Sequence, residues 1–528
     1  MHKILVCDSI ADEGLEILRS VGQVEVRTGL SETELTSAVK HAAAIVVRSS
    51  TQITAPVLEA AGECQVVARA GVGVDNIDVP AATRRGILVV NSPAGNILAA
   101  AEHTVALLLA AARHVPQADR SMKAGEWDRK NFAGRQIEGK TLGLIGFGNV
   151  GRAVARRAQA LGMRVVAYDP YVTEERAAAD GVELVSLDQV LSQGHFISLH
   201  AVATAASEGL IGERELALVR PGAILVNTAR GALVDEMALV SALREGRLAA
   251  AALDVFAEEP TPNLELVGLP NVIATPHVGA LTEEAQVNVA VDAARQVADV
   301  LAGRPPRWPV NAPVLPSEAL ETLAPMVPLV RALGRLSRSL LQGPLRSLEM
   351  LCSETLTSDH LRYLTGVALA TLLEGTTEEP VNVVNARVLA EERHVEVGED
   401  RSSEDRGYTN LVELRVGADE AVTVWGALLD RDRPRIVNVD GYEMDLPPVG
   451  LTLLVWREGH GRPGFVGRVG SLLGDAGISI TAIQVSQRAD AGVGLMALSV
   501  RSEIPAEVLR QIAAEHGVVR TCTVDFGS

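Results

Sequence analysis

The alternation of apolar and polar positions divides the 528 residues into four stretches. In the first, residues 1–95, short apolar runs alternate with amphipathic segments whose spacing predicts helices, as at 11–20 and 31–41. This alternation predicts a parallel sheet with helices on its faces. The apolar runs, each a predicted strand, are 4–7, 24–26, 44–47, 66–68 and 87–90. A long Ala/Leu helix is predicted at 99–114.

The second stretch begins near residue 140 with a new α/β alternation. Six strands with intervening helices predict a doubly wound, Rossmann-type nucleotide-binding domain. These strands are 142–145, 164–168, 196–199, 223–226, 250–253 and 272–274. A helix at 282–302 follows, and the Pro-rich residues 303–316 read as a linker.

The third stretch, residues 317–445, mixes predicted helices with strand-like runs and shows no catalytic cluster. Helices are predicted at 324–341 and 358–373, and strands at 348–352, 422–428 and 435–439. The charged segment 391–406 is predicted to be a solvent-exposed excursion. The last 80 residues predict the order βαββαβ, a ferredoxin-like unit suited to ligand sensing or to an interface.

Composition narrows the functional classes. The net charge of -18 and the lack of a basic tract argue against a nucleic-acid partner. The four cysteines form no C-x-x-C pair, and we expect them to be reduced, without a metal site. The chain opens with a strand and has no apolar run long enough to span a bilayer, so we expect a cytoplasmic protein without a membrane partner.

The strongest motif lies after the first strand of the second stretch. The sequence GFGNVG at 146–151 precedes a predicted helix, and Asp169 ends the next predicted strand. This is the dinucleotide fingerprint in its structural context. Gly146 permits the tight turn, Gly148 lets the backbone approach the pyrophosphate, and Gly151 lets helix and strand pack closely. Asp169 would accept hydrogen bonds from the adenosine ribose, so the motif predicts an NAD site.

Three later strand ends carry residues suited to hydride-transfer chemistry. Because the carboxyl ends of parallel strands meet at the cofactor crevice, these residues should lie near the NAD. Arg230 would hold a substrate carboxylate bidentately. His277 would be the acid/base. Either Glu258 or Glu259 would accept a hydrogen bond from the second imidazole nitrogen of His277.

The first stretch should supply substrate contacts. Arg48 and Arg69 stand at two strand ends, and Gly71-Val72-Gly73 forms a turn that offers backbone N–H groups. Two guanidinium groups beside such a turn would suit an anionic substrate group.

These motifs together resemble one known family. The segments VVRSST, RAGVGVDNID, VNTARGALVDE, LDVFAEEP, TPHVGA and VNVVNAR occur in this order around the fingerprint. The chain is similar to the D-2-hydroxyacid dehydrogenases and, within them, to the long-form D-3-phosphoglycerate dehydrogenases. The resemblance implies a flavodoxin-like substrate-binding domain (1–97 and 283–312), a Rossmann NAD-binding domain (98–282), an α+β intervening domain of the allosteric substrate-binding type (317–447) and an ACT domain (450–528).

The resemblance also implies residue roles. It selects Glu259 over Glu258 as the partner of His277 and assigns phosphate and carboxylate contacts to Arg48, Arg69 and the backbone from Gly71. Arg129 resembles a residue that reaches a neighbouring subunit's site. The implied NAD contacts are Asn149, Val150, Asp169, Thr228, Asp254 and Gly279. The implied activity is NAD-dependent oxidation of 3-phospho-D-glycerate, in a homo-oligomer that is a dimer or a tetramer.

The sequence departs from the family pattern at three places, and two alternative functions stay open. Asn149 stands where relatives often have Arg, and the usual Pro after His200 is absent. In the ACT module Gly461 and Ser479 replace an Asp and an Asn that would grip an amino acid, which leaves inhibition by L-serine open. The alternatives are a glyoxylate or hydroxypyruvate reductase, which needs no phosphate pocket, and a regulatory scaffold that senses NAD.

Overall fold

The structure is a computed structural model. It describes residues 2–204, 206–313, 323–353, 356–376, 380–402, 407–408, 410–430, 432–458, 464–488 and 492–527. The chain forms two compact units. The first comprises Met1–Ser9, Glu16–Asn91 and Ala293–Ser528, and the second comprises Ile10–Leu15 and Ser92–Asp292.

The first unit begins with a five-stranded parallel sheet in the order β2-β1-β3-β4-β5. This is the flavodoxin-like strand order. Strand β3 is buried along its whole length, because helices cover both faces of a parallel sheet. The strands are His2–Val6, Gly22–Val26, Ala44–Val47, Val66–Arg69 and Leu88–Val90, and the helices α1 to α4 are Asp12–Val21, Glu32–Ala38, Ala55–Ala60 and Val79–Arg84.

The second unit holds a seven-stranded parallel sheet in the order β12-β11-β10-β9-β6-β7-β8. The chain adds β7 and β8 on one side of β6 and then β9 to β12 on its other side, so the strand order reverses between the parallel neighbours β6 and β9. This is the topological switch point where dinucleotides bind. Strands β6 to β12 are Thr141–Ile145, Arg164–Tyr168, Glu183–Leu184, Phe196–Leu199, Ala223–Asn227, Leu248–Leu253 and Val272–Ala274. Helices α5 to α13 are Ile97–Arg113, Val115–Lys123, Asn149–Ala160, Glu174–Ala179, Leu187–Gln193, Glu213–Leu218, Glu236–Arg244, Leu264–Val267 and Glu283–Leu301.

The intervening segment forms a six-stranded mixed sheet in the order β14-β13-β15-β16-β17-β18, in which only the β13–β14 pair is parallel. Strands β13 to β18 are Ser347–Ser353, Glu396–Ser402, Val412–Gly417, Val422–Leu429, Arg433–Val439 and Tyr442–Leu446. Helices α14 to α16 are Met326–Leu340, Ser358–Leu373 and Ala386–Glu392.

The C-terminal segment is a four-stranded antiparallel sheet in the order β20-β21-β19-β22, with the βαββαβ element order. Strands β19 to β22 are Leu451–Glu458, Ile480–Gln487, Val493–Val500 and Val518–Asp525, and helices α17 and α18 are Phe465–Asp475 and Ala506–Ala513.

Helix α14 belongs to the cores of both C-terminal segments. Leu329 and Leu333 are fully buried in a cluster that also contains Trp456 and Val524 of the last sheet. The Arg335 guanidinium donates to the Phe526 carbonyl at 2.6 Å. Because one helix contributes to both cores, the intervening and C-terminal segments pack as one body.

The predicted fold classes are confirmed, with differences in detail. The segment 391–406 was expected to be a solvent-exposed excursion. Most of its described residues are exposed, but an excursion is wrong for them, because α16 ends at Glu392 and Glu396–Ser402 is a strand; residues 403–406 lie outside the described residues. An edge strand can carry charges on its exposed side, so it lacks the apolar alternation that predicts strands. Strand β8, two residues long, was also not predicted.

Candidate active site

The fingerprint loop connects β6 to α7. Gly146 has φ 95°, and a Cβ there would lie 2.5 Å from the His200 carbonyl carbon, so only glycine fits. A Cβ on Gly151 would lie 2.4 Å from the Gly146 oxygen. A Cβ on Gly148, in contrast, would meet nothing within 4 Å. The space above Gly148 is therefore open for a ligand group to approach the backbone.

The start of α7 fits a phosphate group. Gly148 is its N-cap and makes no side-chain cap hydrogen bond, and Asn149 and Val150 form its first turn. Backbone N–H groups at a helix start attract anions. Asp169 accepts hydrogen bonds from the Phe147 and Tyr171 N–H groups at 2.8 Å and 2.9 Å, one on each oxygen. Its carboxylate is thereby fixed beside the loop.

The structure brings Glu259 and His277 together. The His277 Nδ1 lies 2.6 Å from Glu259 Oε2, and Glu259 Oε1 accepts a hydrogen bond from the Phe256 N–H at 3.1 Å. The side chains are 49% and 37% exposed, so a substrate can reach them. His277 adopts the left-handed conformation, with φ 52°. Such a conformation persists only where the surroundings hold the loop in place.

Asp254 is the residue that holds this loop. Its Oδ1 accepts from the Val278 N–H at 2.9 Å and the Thr275 hydroxyl at 2.5 Å, and its Oδ2 accepts from the Gly279 N–H at 2.8 Å. His103 Nε2 lies 3.2 Å from Oδ1. Burial raises the pKa of the Asp254 carboxyl, but these hydrogen bonds outweigh burial and leave the pKa below its usual value. The buried group is therefore a carboxylate.

Arg230 follows β10, and its loop is fixed by a buried asparagine. Asn227 accepts from the Ala229 N–H at 3.0 Å and donates to the Arg230 carbonyl at 2.9 Å. A Cβ on Gly231 would lie 1.9 Å from the Phe256 carbonyl carbon, so the Arg230 loop packs directly on the loop that precedes Glu259. Thr228, the predicted NAD contact in this loop, lies with its hydroxyl 2.7 Å from that of Thr104.

The predicted anion-binding residues of the first unit lie on two adjoining loops. Asp8, buried at the end of β1, accepts from the Arg48 N–H at 2.5 Å and the Thr51 hydroxyl at 2.8 Å. Asn76 donates to the carbonyls of Arg48 and Thr51 at 2.7 Å and 2.6 Å. The loop that carries Arg48 is therefore held from two sides.

The turn after β4 lies over the side chain of Arg69. A Cβ on Gly71 would overlap the Arg69 guanidinium, at 1.5 Å from Nη1. Asn91 donates to the Val72 carbonyl at 2.6 Å, which fixes the turn before Gly73. In the second unit, Arg129 is exposed in the loop after α6. Its implied contact with a neighbouring subunit's site stays a prediction.

Four polar residues organise these loops, and the sequence assigned no separate role to any of them: Asp8, Asn76, His103 and Asn227. Asn76 and Asn227 lie inside the motifs RAGVGVDNID and VNTARG, which the sequence did single out. Asp8 follows a buried strand and His103 lies within an apolar helix. In the described residues, no group of three or more His, Cys, Asp or Glu side chains could hold a metal ion. No helix in the described part of the chain is long and apolar enough to cross a membrane.

Family models match three parts of the chain. They are the NAD binding domain of D-isomer specific 2-hydroxyacid dehydrogenases at residues 105–279, the D-3-phosphoglycerate dehydrogenase intervening domain at 322–440, and the ACT domain at 458–517. The D-3-phosphoglycerate dehydrogenase of Synechocystis is 42% identical over 99% of this chain and 95% of its own length. This chain belongs to the D-3-phosphoglycerate dehydrogenase family.

A second relative is as similar as the first, and a solved structure matches part of the chain's length less closely in sequence. The D-3-phosphoglycerate dehydrogenase of Methanocaldococcus jannaschii is 42% identical over 97% of both chains. Among solved structures, the TT0316 protein from Thermus thermophilus is 38% identical with a TM-score of 0.55, and it covers 58% of this chain and 99% of its own. Like its family, this dehydrogenase is an NAD-dependent oxidoreductase with an ACT domain.

Proposed function

We propose that this protein oxidises 3-phospho-D-glycerate to 3-phosphohydroxypyruvate, the first step of L-serine biosynthesis. The observation that carries the proposal is the Glu259–His277 pair on strand-end loops of the NAD-binding sheet. It is supported by the names of relatives that match nearly the whole chain.

The chain's own residues account for the proton and the charges. With Nδ1 of His277 bonded to Glu259, the other ring nitrogen, Nε2, is oriented to accept the proton of the substrate C2 hydroxyl. Arg230 holds the substrate carboxylate with its planar guanidinium and polarises the developing carbonyl. NAD, when bound, supplies the acceptor for the hydride that leaves C2. The O–H and C2–H bonds break, and the C2–O single bond becomes a carbonyl.

For NAD we propose the contacts that the fingerprint indicates. Gly146, Gly148, Asn149, Val150 and Gly151 would bind the pyrophosphate, and Asp169 the adenosine ribose. Thr228, Asp254 and Gly279 complete the set as proposed contacts near the nicotinamide. The open space above Gly148 and the uncapped start of α7 support the pyrophosphate assignment.

We propose that Arg48, Arg69 and the Gly71–Gly73 backbone bind the phosphate group of the substrate. The sequence motifs that contain these residues support this assignment. The test is a comparison of KM values. Arg48→Ala and Arg69→Ala should raise KM for 3-phosphoglycerate by about tenfold or more, as expected for a lost bond to a charged group. KM for the unphosphorylated hydroxypyruvate in the reverse reaction should change little. Arg19→Ala, on the exposed side of α1, is the matched control.

Two outcomes would decide against the proposal. No NADH formation from NAD and 3-phosphoglycerate by the purified protein would exclude the reaction. Equal effects of the arginine substitutions on phosphorylated and unphosphorylated substrates would favour the glyoxylate or hydroxypyruvate reductase instead.

The same assay with added L-serine measures feedback inhibition. Ser479 is described and its carbonyl accepts from the Arg501 N–H at 3.1 Å, whereas Gly461 lies outside the described residues.

We further propose that the chain forms four domains: residues 1–97 together with 283–312, residues 98–282, residues 317–447 and residues 450–528. We also propose that the protein is cytoplasmic and that it forms a homo-oligomer. Large apolar side chains are exposed on α5, α6 and the loop that follows, and they support association with a second copy. These are Leu98, Leu109, Val115, Met122 and Trp127. The four free cysteines suit the cytoplasm. Light scattering of the purified protein will show whether it is a dimer or a tetramer.

A further inference from the structure

Glu236 is the first residue of α11, and it binds the loop that carries Glu259 at two points. Its Oε1 accepts a hydrogen bond from the Ala257 N–H at 2.8 Å, and its Oε2 accepts one from the Asn263 side-chain amide at 2.7 Å. Ala257 precedes Glu259 in the chain and Asn263 follows it. Glu259 is the partner of His277, at 2.6 Å. One carboxylate therefore fixes both ends of the loop that carries this partner.

Asn263 anchors the far end of this loop to a helix. Its Oδ1 accepts from the Leu266 N–H at 3.0 Å and thereby caps α12. Its Nδ2 is then the atom that faces the Glu236 carboxylate. The Asn263 N–H donates to the Thr261 hydroxyl at 3.2 Å. The contact with Glu236 therefore joins the start of α11 to the start of α12 across the loop.

The near end of the loop packs on the segment that leads from Arg230 to Glu236. A Cβ on Gly231 would lie 2.4 Å from the Ala257 nitrogen, so the two backbones are in direct contact. The segment therefore touches the loop through its backbone at Gly231 and through a side chain at Glu236. Because Arg230 begins this segment, the two contacts also set the position of the Glu259 loop relative to Arg230.

The loop itself has little packing that could replace these contacts. Residues 257–260 are exposed, and the Glu259 side chain is 37% exposed. A segment with few buried apolar contacts keeps its position mainly through its hydrogen bonds, and bonds to a carboxylate are the stronger kind. Proton transfer needs closely aligned atoms, and a misplacement of about 1 Å can cost on the order of 100-fold in rate. The position of Glu259 therefore depends on the two bonds to Glu236.

We propose that Glu236 is a positioning residue for the dehydrogenation. By binding both ends of the loop, it holds the Glu259 carboxylate against His277 Nδ1, which leaves Nε2 to face the substrate hydroxyl. In this role Glu236 contacts neither substrate nor cofactor and moves no proton. The proposal rests on the proposed function, because it takes the Glu259–His277 pair to be the group that removes the substrate proton. The competing explanation is that Glu236, an acidic residue in the first turn of α11, only stabilises that helix.

The first test replaces Glu236 by glutamine, which keeps the size of the side chain and removes one acceptor. Glutamine can accept from Ala257 or from Asn263, but its NH₂ group then faces the other donor. Asn263 could turn its amide only by giving up the cap on α12. In Glu236→Gln kcat should therefore fall about tenfold, as expected for a lost bond to a charged group, while KM for NAD stays nearly unchanged. Glu213→Gln removes the same charge from the first position of α10 and is the matched control, with wild-type kcat.

A double-mutant cycle with Glu259 separates positioning from helix stability. Glu259→Gln removes the group through which Glu236 is proposed to act, so in that background Glu236→Gln should lower kcat by less than about twofold. A second tenfold loss would show that Glu236 acts independently of Glu259 and would overturn the proposal, as would an unchanged kcat in Glu236→Gln alone.

Glu236→Asp keeps the charge but is shorter by one methylene and cannot reach both donors. Its kcat should fall at least as far as that of Glu236→Gln, and wild-type turnover would contradict the bridging role. Asn263→Ser keeps a hydroxyl that can cap α12 but cannot reach Glu236, so its kcat should also fall. Wild-type kcat in Asn263→Ser would contradict the bond at Oε2. Circular dichroism verifies that each variant is folded.

Two measurements distinguish a failure of this proposal from a failure of the proposed function. If the wild type forms no NADH from 3-phosphoglycerate but reduces hydroxypyruvate, the proposed function fails, and the same cycle measured with hydroxypyruvate decides the role of Glu236. A crystal structure of Glu236→Gln should show the Glu259 carboxylate displaced from His277 Nδ1. A pair that keeps its 2.6 Å contact in that variant would overturn the proposal, whether or not turnover is observed.

Discussion

Replacing Asp254 by asparagine exchanges one carboxylate oxygen for an NH₂ group at the base of the His277 loop. Both oxygens of Asp254 accept backbone N–H groups, those of Val278 and Gly279. Because an asparagine has one oxygen, its NH₂ must face one of these N–H groups whichever way the amide turns. The Asp254 side chain is 1% exposed, so water cannot replace the lost acceptor.

The size of the effect follows from this loss. A buried donor that loses a charged acceptor costs roughly 1.5–3 kcal/mol. The loop can relieve the cost only by moving, and it carries His277 with it. If the whole cost is added to the activation barrier because His277 is misplaced, kcat should fall by about 10- to 100-fold, since about 1.4 kcal/mol corresponds to a factor of ten in rate. Asp235→Asn is the matched control, because Asp235 accepts the Met237 and Ala238 N–H groups on a single oxygen that asparagine retains.

Steady-state kinetics of Asp254→Asn distinguishes two roles for this residue. If Asp254 positions the loop, kcat falls while KM for NAD changes little. If its main role is the predicted contact with NAD, KM for NAD rises and kcat is nearly kept. An unchanged kcat in Asp254→Asn, with a circular dichroism spectrum like that of the wild type, would refute the positioning argument.

Three further substitutions test other parts of the structure. Gly148→Ala should leave the melting temperature unchanged, because the new Cβ meets nothing within 4 Å. If the NAD pyrophosphate contacts this backbone, the same substitution should weaken NAD binding by roughly tenfold or more. A normal NAD affinity, measured by calorimetry, would contradict that contact. Burial lowers the pKa of His200 from 6.5 to about 4. Between these two pH values the unfolded chain binds one proton more than the folded chain, so the free energy of unfolding falls as the pH drops from 6.5 toward 4. The total loss is about 3 kcal/mol. In urea titrations His200→Gln should lose less stability than the wild type between pH 7 and pH 5, and equal losses would exclude this origin. Leu333→Ala should lower the free energy of unfolding by about 2–5 kcal/mol, because it opens a cavity in the core. In calorimetry it should lower the temperature of a single transition shared by the intervening and ACT segments, whereas Val466→Ala, at an exposed position, is the control. Two separate transitions would contradict a common core.

The sequence alone determined the elements that depend on local pattern. Alternating apolar runs located most strands of both parallel sheets, because buried strands in such sheets are nearly continuous in Val, Ile, Leu and Ala. The fingerprint indicated NAD because its glycines are required by backbone geometry: Gly146 at φ 95° has no room for a Cβ. The strand-end rule proposed Arg230 and His277, but the choice of Glu259 came from the family resemblance.

Tertiary structure decided what no local pattern encodes. The strand Glu396–Ser402 is charged, and only its pairing with β13 makes it a strand. Helix α14 joins two sheets into one core, although its own sequence shows only an apolar face. Asp254 lies far along the chain from His103, and their contact exists only because α5 packs near the end of β11. Asp8 likewise holds the Arg48 loop from another strand. These contacts link residues that are distant in sequence, and the folded chain is what brings them together.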